Sequence, residues 1–430
     1  MAGTFNAIPI EVNQMIAHNL EYDSDVCNFR LICHATRNAI DGDYGTYWRV
    51  RFLSAYDPLT DPTKSDGRNA NEVMRKTYQE RRCILRRGAT FTYGQTRAEQ
   101  RCLILLRDLV LDSFSGGTTD KNGERHSLNM EAIQQFVANH EFLHNVLFTW
   151  PRKASRSSPR HRSRDTCNDD LDRVQTPHPF LHTMQVLLTH LFLEVSSARV
   201  WHFAQVWSFA ESQKAVYACA EVAPIFGGVN GAEIDMHWIL HNANFWKYHM
   251  NREEEATLHE AMAALVDVQR PGGWKAKIET GVQSVGKYWK GSYAYLGESD
   301  MNYIRSEAYD ESHVLPDNVN DDQDDGFQVP TFNASGWLTP MPHQHGIPGW
   351  QKMQMMKYYD DGFGGIAWDA LWAYEGVVLP GGQIMLGRWW NPDRGTGERQ
   401  YSGPFLMWNV DAAVEQGYEG RESEAFDAPS

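Results

Sequence analysis

Tryptophan and glycine are spread unevenly along this chain, and no other feature constrains its architecture more. Nine of the 15 Trp and 20 of the 34 Gly fall between Pro271 and Trp408. There, short aromatic runs alternate with Gly and Pro turns, the punctuation of strands and hairpins. Lys352 to Tyr359 is followed by Asp360-Asp361-Gly362, and Ile366 to Leu379 by Pro380-Gly381-Gly382. Gln383 to Trp390 is followed by Asn391-Pro392-Asp393-Arg394-Gly395, and Tyr401 to Val410 closes the series. Four strands in succession predict an antiparallel meander. Lys287 to Leu296, Asn302 to Glu307, Phe327 to Phe332 and Gly336 to Met341 are earlier strand candidates. About eight short strands in ~125 residues predict an up-and-down barrel rather than a sandwich.

Before Pro271 the apolar residues recur at helical spacing. Helices are predicted over 71–87, 99–114, 180–195, 200–220, 233–249 and 252–268, and around Ile133 to Leu147. The acidic triplet Glu253–Glu255 suits the start of the last one. The fold class is therefore α+β, with a helical region to about residue 270 and a mainly antiparallel sheet from 271 to 412. Three segments read as mobile. Pro151 to Arg164 has six Lys/Arg and no acids, within a basic loop near 151–172. Glu307 to Asp325 has eight acids and no Lys or Arg, and reads as a long hairpin excursion. The tail, 413–430, is polar and acidic.

Composition narrows the function. The 430 residues suffice for two to three domains at about 150 residues each. Hydrophobic residues make up 42% and charged residues 22%, which argues against a mainly disordered chain. A net charge of -15 repels phosphates, so nucleic acid is not an expected partner. Met1 to Ile10 lacks a basic region followed by a long apolar run, so no secretory signal is expected. No stretch approaches the ~20 apolar residues that span a bilayer, so a membrane is not an expected partner either. Six cysteines at irregular spacing, with no CxxC pair, predict reduced thiols and a cytoplasmic or nuclear location.

Residues 1–55 form the most specific module. Ile8, Val12, Ile16 and Leu20 stand four apart, one apolar stripe on a short helix that Pro9 helps to start. A second helix starting at Ser24 or Asp25 carries Val26, Phe29, Ile32 and Cys33, and a weaker third covers Thr36 to Ile40. So short a module cannot bury this many apolar side chains alone. Either it docks on the following helices or it holds its stripe for a partner.

The string Ile8-Pro9-Ile10-Glu11-Val12, then Ile16 and Leu20, then Asp25-Val26 and Asn28-Phe29-Arg30-Leu31-Ile32-Cys33, resembles an F-box. His34 and Thr36 depart from the pattern, where Arg and an aromatic are common. The resemblance implies docking on a Skp1-type adaptor, and through it on a cullin. The implied contacts are Ile8, Pro9, Val12, Ile16, Leu20, Val26, Ile32 and Cys33, with Arg30 as a buttress.

In Gln383 to Trp390, alternation puts Ile384, Leu386, Arg388 and Trp390 on one face and Met385, Gly387 and Trp389 on the other. One face is expected to fill a barrel interior and the other to pack against a helix. Arg388, flanked by aromatics, then either grips an anionic or amide group at the barrel mouth or stacks on Trp389 or Trp390 as a structural residue. Trp289-Lys290-Gly291-Ser292-Tyr293, Gly349-Trp350-Gln351-Lys352-Met353, Trp372-Ala373-Tyr374-Glu375-Gly376, Leu379-Pro380-Gly381-Gly382 and Gly387-Arg388-Trp389-Trp390 resemble a group of fungal F-box proteins. Their C-terminal half is similar to the lipocalin-like, calycin-type barrel of some animal F-box proteins. The resemblance implies a barrel that reads a target protein. Tyr293, Arg305, Trp350, Arg388 and Trp390 are the expected pocket, and a short acidic or C-terminal peptide is its expected ligand.

No catalytic residue, metal or cofactor is expected. His237 and His241 stand four apart on a helix, with His249 two turns on, but Trp238 stands where a metalloprotease has Glu. His343-Gln344-His345 lacks further ligands, Asp360-Asp361 is a turn, and the sequon Asn333-Ala334-Ser335 lacks a secretory context. Three readings stand side by side: a substrate receptor of a cullin–RING ubiquitin ligase; a small-molecule-binding barrel or cofactor-free cyclase or isomerase with a vestigial F-box; and a scaffold outside ubiquitin transfer.

Overall fold

The first helices form because short apolar runs are separated by turn residues, and each helix is too short to persist without its neighbours. The computed structural model describes residues 3–42, 46–61, 70–91, 93–119, 125–140, 142–143, 177–193, 209–250, 256–310, 314–321, 333–359, 365–367, 371–392, 400–415 and 417. The chain divides into two compact units. One comprises Met1–Thr90, Arg97–His140 and Lys275–Lys277; the other comprises Phe91–Thr96, Glu141–Trp274 and Ile278–Ser430. The helical stretch 56–270 is thus shared between them.

The first unit contains α1 (Gly3–Asn6), α2 (Ile10–His18), α3 (Asp23–Arg30), α4 (His34–Asp41), α5 (Tyr47–Leu53), α6 (Ala70–Arg87), α7 (Arg97–Asp112) and α8 (Leu128–Asn139). The helix read as weakest, α4, is the hub of the N-terminal module, touching α1, α2, α3 and α5. Thr36, Ala39 and Ile40 are its buried face. Thr36 also closes the first turn of α4: its hydroxyl oxygen accepts from the Cys33 amide at 3.1 Å. Beyond α5, the Arg81–Asp112 ion pair (2.6 Å) is buried between α6 and α7, with the guanidinium over the rings of Phe52 and Tyr56.

In the second unit, α9 (Pro179–Leu187), α10 (Thr189–Leu193), α11 (Phe209–Tyr217), α12 (Met236–Met250) and α13 (Ala256–Ala264) precede the large sheet. A small hairpin, β1 (Phe226–Gly227) with β2 (Glu233–Ile234), lies within the region expected to be wholly helical. Nearly every residue of α12 is buried, because α9, α10, α11, α13 and the sheet surround it.

The sheet is built from β3 (Trp289–Tyr295), β4 (Asn318–Asp321), β5 (Asn333–Pro340), β6 (Gln351–Tyr358), β7 (Trp372–Val378), β8 (Ile384–Trp390) and β9 (Ser402–Asn409). Its order is β4-β3-β9-β8-β7-β6-β5, antiparallel throughout. Successive strands pair, and the first pairs with the last. The exception is β4 with β5, so among the described residues the sheet is open, with those two strands as its edges. A terminal helix, α15 (Asp411–Glu415), follows β9.

Two expectations are corrected. Asn302 to Glu307 is not a strand; it belongs to helix α14 (Glu298–Arg305), with Glu298 and Asp300 in the first turn and Met301 and Ile304 buried three apart. The acidic excursion is not featureless, since its residues 318–321 form β4 and pair with β3. The predicted strand Phe327 to Phe332, the basic loop at 151–172, the triplet Glu253–Glu255, Asp360-Asp361 and most of the tail lie outside the described residues.

Candidate functional site

Helix α2 is turned inside out. Its buried residues are Asn13 and Ala17. The Asn13 amide donates to the carbonyls of Phe5 (3.2 Å) and Ile8 (3.3 Å), and Gln14 donates to the Ala39 carbonyl at 3.0 Å. His18 lies 4.7 Å from the Tyr47 ring, centroid to centroid. The polar and small side chains therefore look inward. Outward go Ile10, Val12 (41% exposed) and Met15 (64%), with Ile8, Ile16 and Leu20 half-buried and Pro9 exposed. The turn after α3 adds Leu31 (78% exposed) and Ile32 (44%). Isolated exposed apolar residues are ordinary; a helix whose apolar face is the solvent face is not.

Of the other residues assigned to this surface, Val26 is buried within the module, Cys33 is half-buried at the start of α4, and Arg30 pairs with Asp41. Asp41 also receives Arg75 at 3.4 Å, which ties α3, α4 and α6 together. Ile10 and Leu31 add to the surface expected from the sequence, as does Met15, which stands beside the stripe of Ile8, Val12, Ile16 and Leu20. Their signal was the neighbouring pattern: when positions 13, 14, 17 and 18 are polar or small, the opposite side of the helix is apolar.

Asp23 fixes the module's other end. It accepts from the Tyr78 hydroxyl (2.9 Å), Arg51 (3.1 Å) and Arg82 (3.1 Å). Burial alone would raise its carboxyl, but these three donors outweigh burial and hold it below the usual carboxylate range. Arg51 donates as well to the Leu20 and Glu21 carbonyls, so α2, α3 and α5 share one anchor.

The sheet has two different faces. One carries Met353, Tyr374, Val378, Met385, Trp389 and Phe405, with Tyr293, Tyr295, Trp372 and Met407 at its margin. Gly376 and Gly387 stand opposite each other across β7 and β8. The Phe405 ring lies over both, so close that a Cβ at Gly387 would come within 2.5 Å of it. The other face carries Ile384, Leu386 and Arg388, and α11 and α12 cover it.

The residues expected to make one pocket are dispersed. Tyr293 is half-buried on the first face, edge-on to Trp389. Arg388 is buried on the second face and donates to the Ala223 carbonyl at 2.9 Å. Its guanidinium carbon lies 5.0 Å from the Trp238 ring centroid, so its aromatic neighbour is on α12 rather than on its own strand. Burial, opposed by Glu375 and reinforced by Arg305, lowers its pKa to about 10, which leaves it charged at neutral pH. Arg305 reaches the same side from α14 and donates to the Tyr217 carbonyl (2.8 Å), the Gln400 carbonyl and the Ser402 hydroxyl (2.8 Å). Trp350 is fully buried just before β6, and Trp390 is half-buried at the end of β8.

The buried polar groups of α11 and α12 include His241 and His249, already weighed from the sequence, and Gln213, which was not; Asp317 joins them. Asp317, from the acidic stretch, lies 3.4 Å from His249, with both side chains buried. Gln213 donates to Asp317 and to the Leu315 carbonyl, and accepts from the Leu315 amide at 3.0 Å. His237 and His241 lie 4.5 Å apart, ring to ring, and His182 on α9 lies 5.8 Å from His237. Burial, with neighbouring imidazoles adding, pulls His182 down to about 4 and His241 well below its ordinary value. His345 stacks on Phe180 and hydrogen-bonds Thr183 at 2.9 Å, while His343 lies 3.3 Å from the Thr280 hydroxyl. Among the described residues, no group of three or more His, Cys, Asp or Glu is arranged to hold a metal ion.

Among the described residues, no helix is long and apolar enough to cross a membrane. Compared with protein-family models, curated proteins and solved structures, the chain matches none.

Proposed function

We propose that this chain is the substrate-receptor subunit of a cullin–RING ubiquitin ligase of the SCF type. Its N-terminal helices dock on a Skp1-type adaptor and its sheet unit presents the target protein. The observation that carries this reading is the reversed polarity of α2: Asn13 and Ala17 look inward while Ile10, Val12 and Met15 meet solvent. Such a face is stable in water at a cost, and covering it by a partner returns roughly 25 cal/mol for each Å² of apolar surface buried. On the same reading the sheet unit is a lipocalin-like up-and-down barrel. The run of antiparallel neighbours from β5 to β9, with the first strand of the sheet, β3, paired to the last, supports it; β4 and β5 do not pair among the described residues. The receptor acts at a cytoplasmic or nuclear site and supplies no catalytic group of its own.

The reading is tested by bridging. Purified chain is immobilised and offered a cullin with and without the adaptor. Retention of the cullin in the presence of the adaptor, and not in its absence, is the expected result. Equal retention with and without adaptor, or none with it, contradicts the proposal.

A further inference from the structure

Five imidazoles form one continuous chain in the second unit. His345, in the loop between β5 and β6, has its ring 6.3 Å from that of His178. The charge of His178 bears on His182, one turn along α9, and His182 lies 5.8 Å from His237. His237 in turn lies 4.5 Å from His241. The chain thus joins three elements: the 341–350 loop, α9 and α12. Little acid is at hand to balance it. Neither α9, α12 nor the 341–350 loop contains Asp or Glu. Asp235, just before α12, acts on His237. The exposed Glu233 lies on β2 and Glu211 on α11, while Lys214 and Lys247 add positive charge to α11 and α12. What α11 sends to the chain is a neutral hydroxyl, Ser212, 3.0 Å from His241.

Two of these rings hold the loop and the helix in ways that depend on charge. His178 is the N-cap of α9, and its Nδ1 accepts from the Phe180 amide at 3.1 Å. An imidazolium has no lone pair to accept with, and a cation at a helix N-terminus opposes the helix dipole. His345 stacks on Phe180 and donates to the Thr183 hydroxyl at 2.9 Å, since that hydroxyl's own proton goes to the Pro179 carbonyl at 3.1 Å. The loop is held further by Gln344, bonded to Ala232 and Ile234 in the small hairpin, and by His343 beside Thr280. Its backbone is strained at His345, whose φ of 50° is left-handed.

We propose that the five imidazoles are an acid-operated latch: neutral, they hold the 341–350 loop against α9, and protonated they release it. A second proton taken up by the chain meets the first only 4.5–6.3 Å away, with little acid between them, so charge on the docked chain is self-repelling. Burial, with neighbouring imidazoles adding, holds His182, His241 and His345 below the ordinary 6.5 while the loop is docked. A released ring regains its ordinary value, so the open form binds more protons and gains population as the pH falls below about 6.5. Several rings share the uptake, which makes the transition steep. It is confined to the loop and the start of α9, and it operates whatever the N-terminal helices bind.

The full chain is footprinted with hydroxyl radicals at steps from about pH 7.5 to about 4.5, the range in which imidazoles charge, while circular dichroism records the helices. Labelling is read by mass spectrometry at Phe180, under the His345 ring, and at Trp350, at the end of the loop, both buried. The expected result is protection at the upper end of the range and a rise at both residues below about pH 6.5, with the helical signal unchanged and an uptake of about two protons or more on opening. His178→Ser keeps an N-cap oxygen that cannot charge, and His237→Asn removes the ring between His182 and His241. Each should lower the uptake by about one proton and leave labelling at the upper end unchanged, and either variant alone decides the point. Equal labelling across the range, or release only together with loss of the helical signal, would overturn the proposal. So would an uptake of about one proton or less, or variants that titrate as the parent does.

Discussion

Arg388 lies over the indole of Trp238, its guanidinium carbon 5.0 Å from the ring centroid, and donates to the Ala223 carbonyl at 2.9 Å. The relationship joins strand β8 to helix α12 through a buried charge. An arginine so placed holds the helix layer on the sheet through its Nη2, while its Nε is buried without a hydrogen-bond partner among the described residues.

Arg388→Ala should therefore lower stability. It removes the cation–π contact, takes the donor from the half-buried Ala223 carbonyl and leaves a cavity, an expected loss of roughly 1–3 kcal/mol. Thermal unfolding of the variant measures this. A melting temperature equal to that of the parent would show that the guanidinium is not structural.

Gly387→Ala should be costly for a different reason. Its new Cβ would stand 2.3 Å from the Glu375 carbonyl oxygen and 2.5 Å from the Phe405 ring, so backbone and ring must both shift. Overpacking of this kind costs roughly 1–3 kcal/mol. Phe405→Leu in the same chain should restore part of the loss by freeing the ring's space. A Gly387→Ala protein as stable as its parent would contradict the close approach of the ring.

Acid should loosen the second unit before it protonates most carboxylates. His182 and His190 titrate near 4 when folded, mainly because burial disfavours the imidazolium, against an ordinary 6.5. Between about 6.5 and 4 the unfolded chain therefore binds more protons than the folded one. Stability falls as the pH drops through that window, by up to about 1.4 kcal/mol per unit for each such histidine. Melting temperatures from pH 7.5 to 4.5 should decline, and His182→Asn should flatten part of the slope. A profile flat to pH 4.5 would contradict the burial of these rings.

The meander was legible because its turns carry Gly, Pro and Asp at the right intervals, and β6 to β9 fall where those turns place them. Helix α14 was not. Its aromatic and apolar residues suit a strand, and the buried pair Met301 and Ile304 is three apart on a helix of eight residues, too short a period to read. Asp317 was hidden by its surroundings, since an acid among acids looks solvated until a helix brings His249 to it. The stripe on α2 was legible in its spacing but not in its direction, which Asn13 and Gln14 set through hydrogen bonds to backbone carbonyls remote from the apolar pattern. The expected pocket scattered because the pairing register places Tyr293 and Arg388 on opposite faces of the sheet, and neither composition nor spacing gives that register.

The most direct measurement on the central claim is co-elution of the full chain with a purified Skp1-type adaptor on gel filtration, for the parent and for the double variant Val12→Asp with Ile16→Asp. Two carboxylates placed in a surface that becomes desolvated on docking cost several kcal/mol of binding, roughly a thousandfold or more in affinity. Val12 faces solvent and Ile16 is half-buried, so the variant should keep the parent's helical circular dichroism. The account predicts a stoichiometric complex for the parent and none for the double variant. A parent chain that elutes apart from the adaptor, or a double variant that still binds it, would contradict the account.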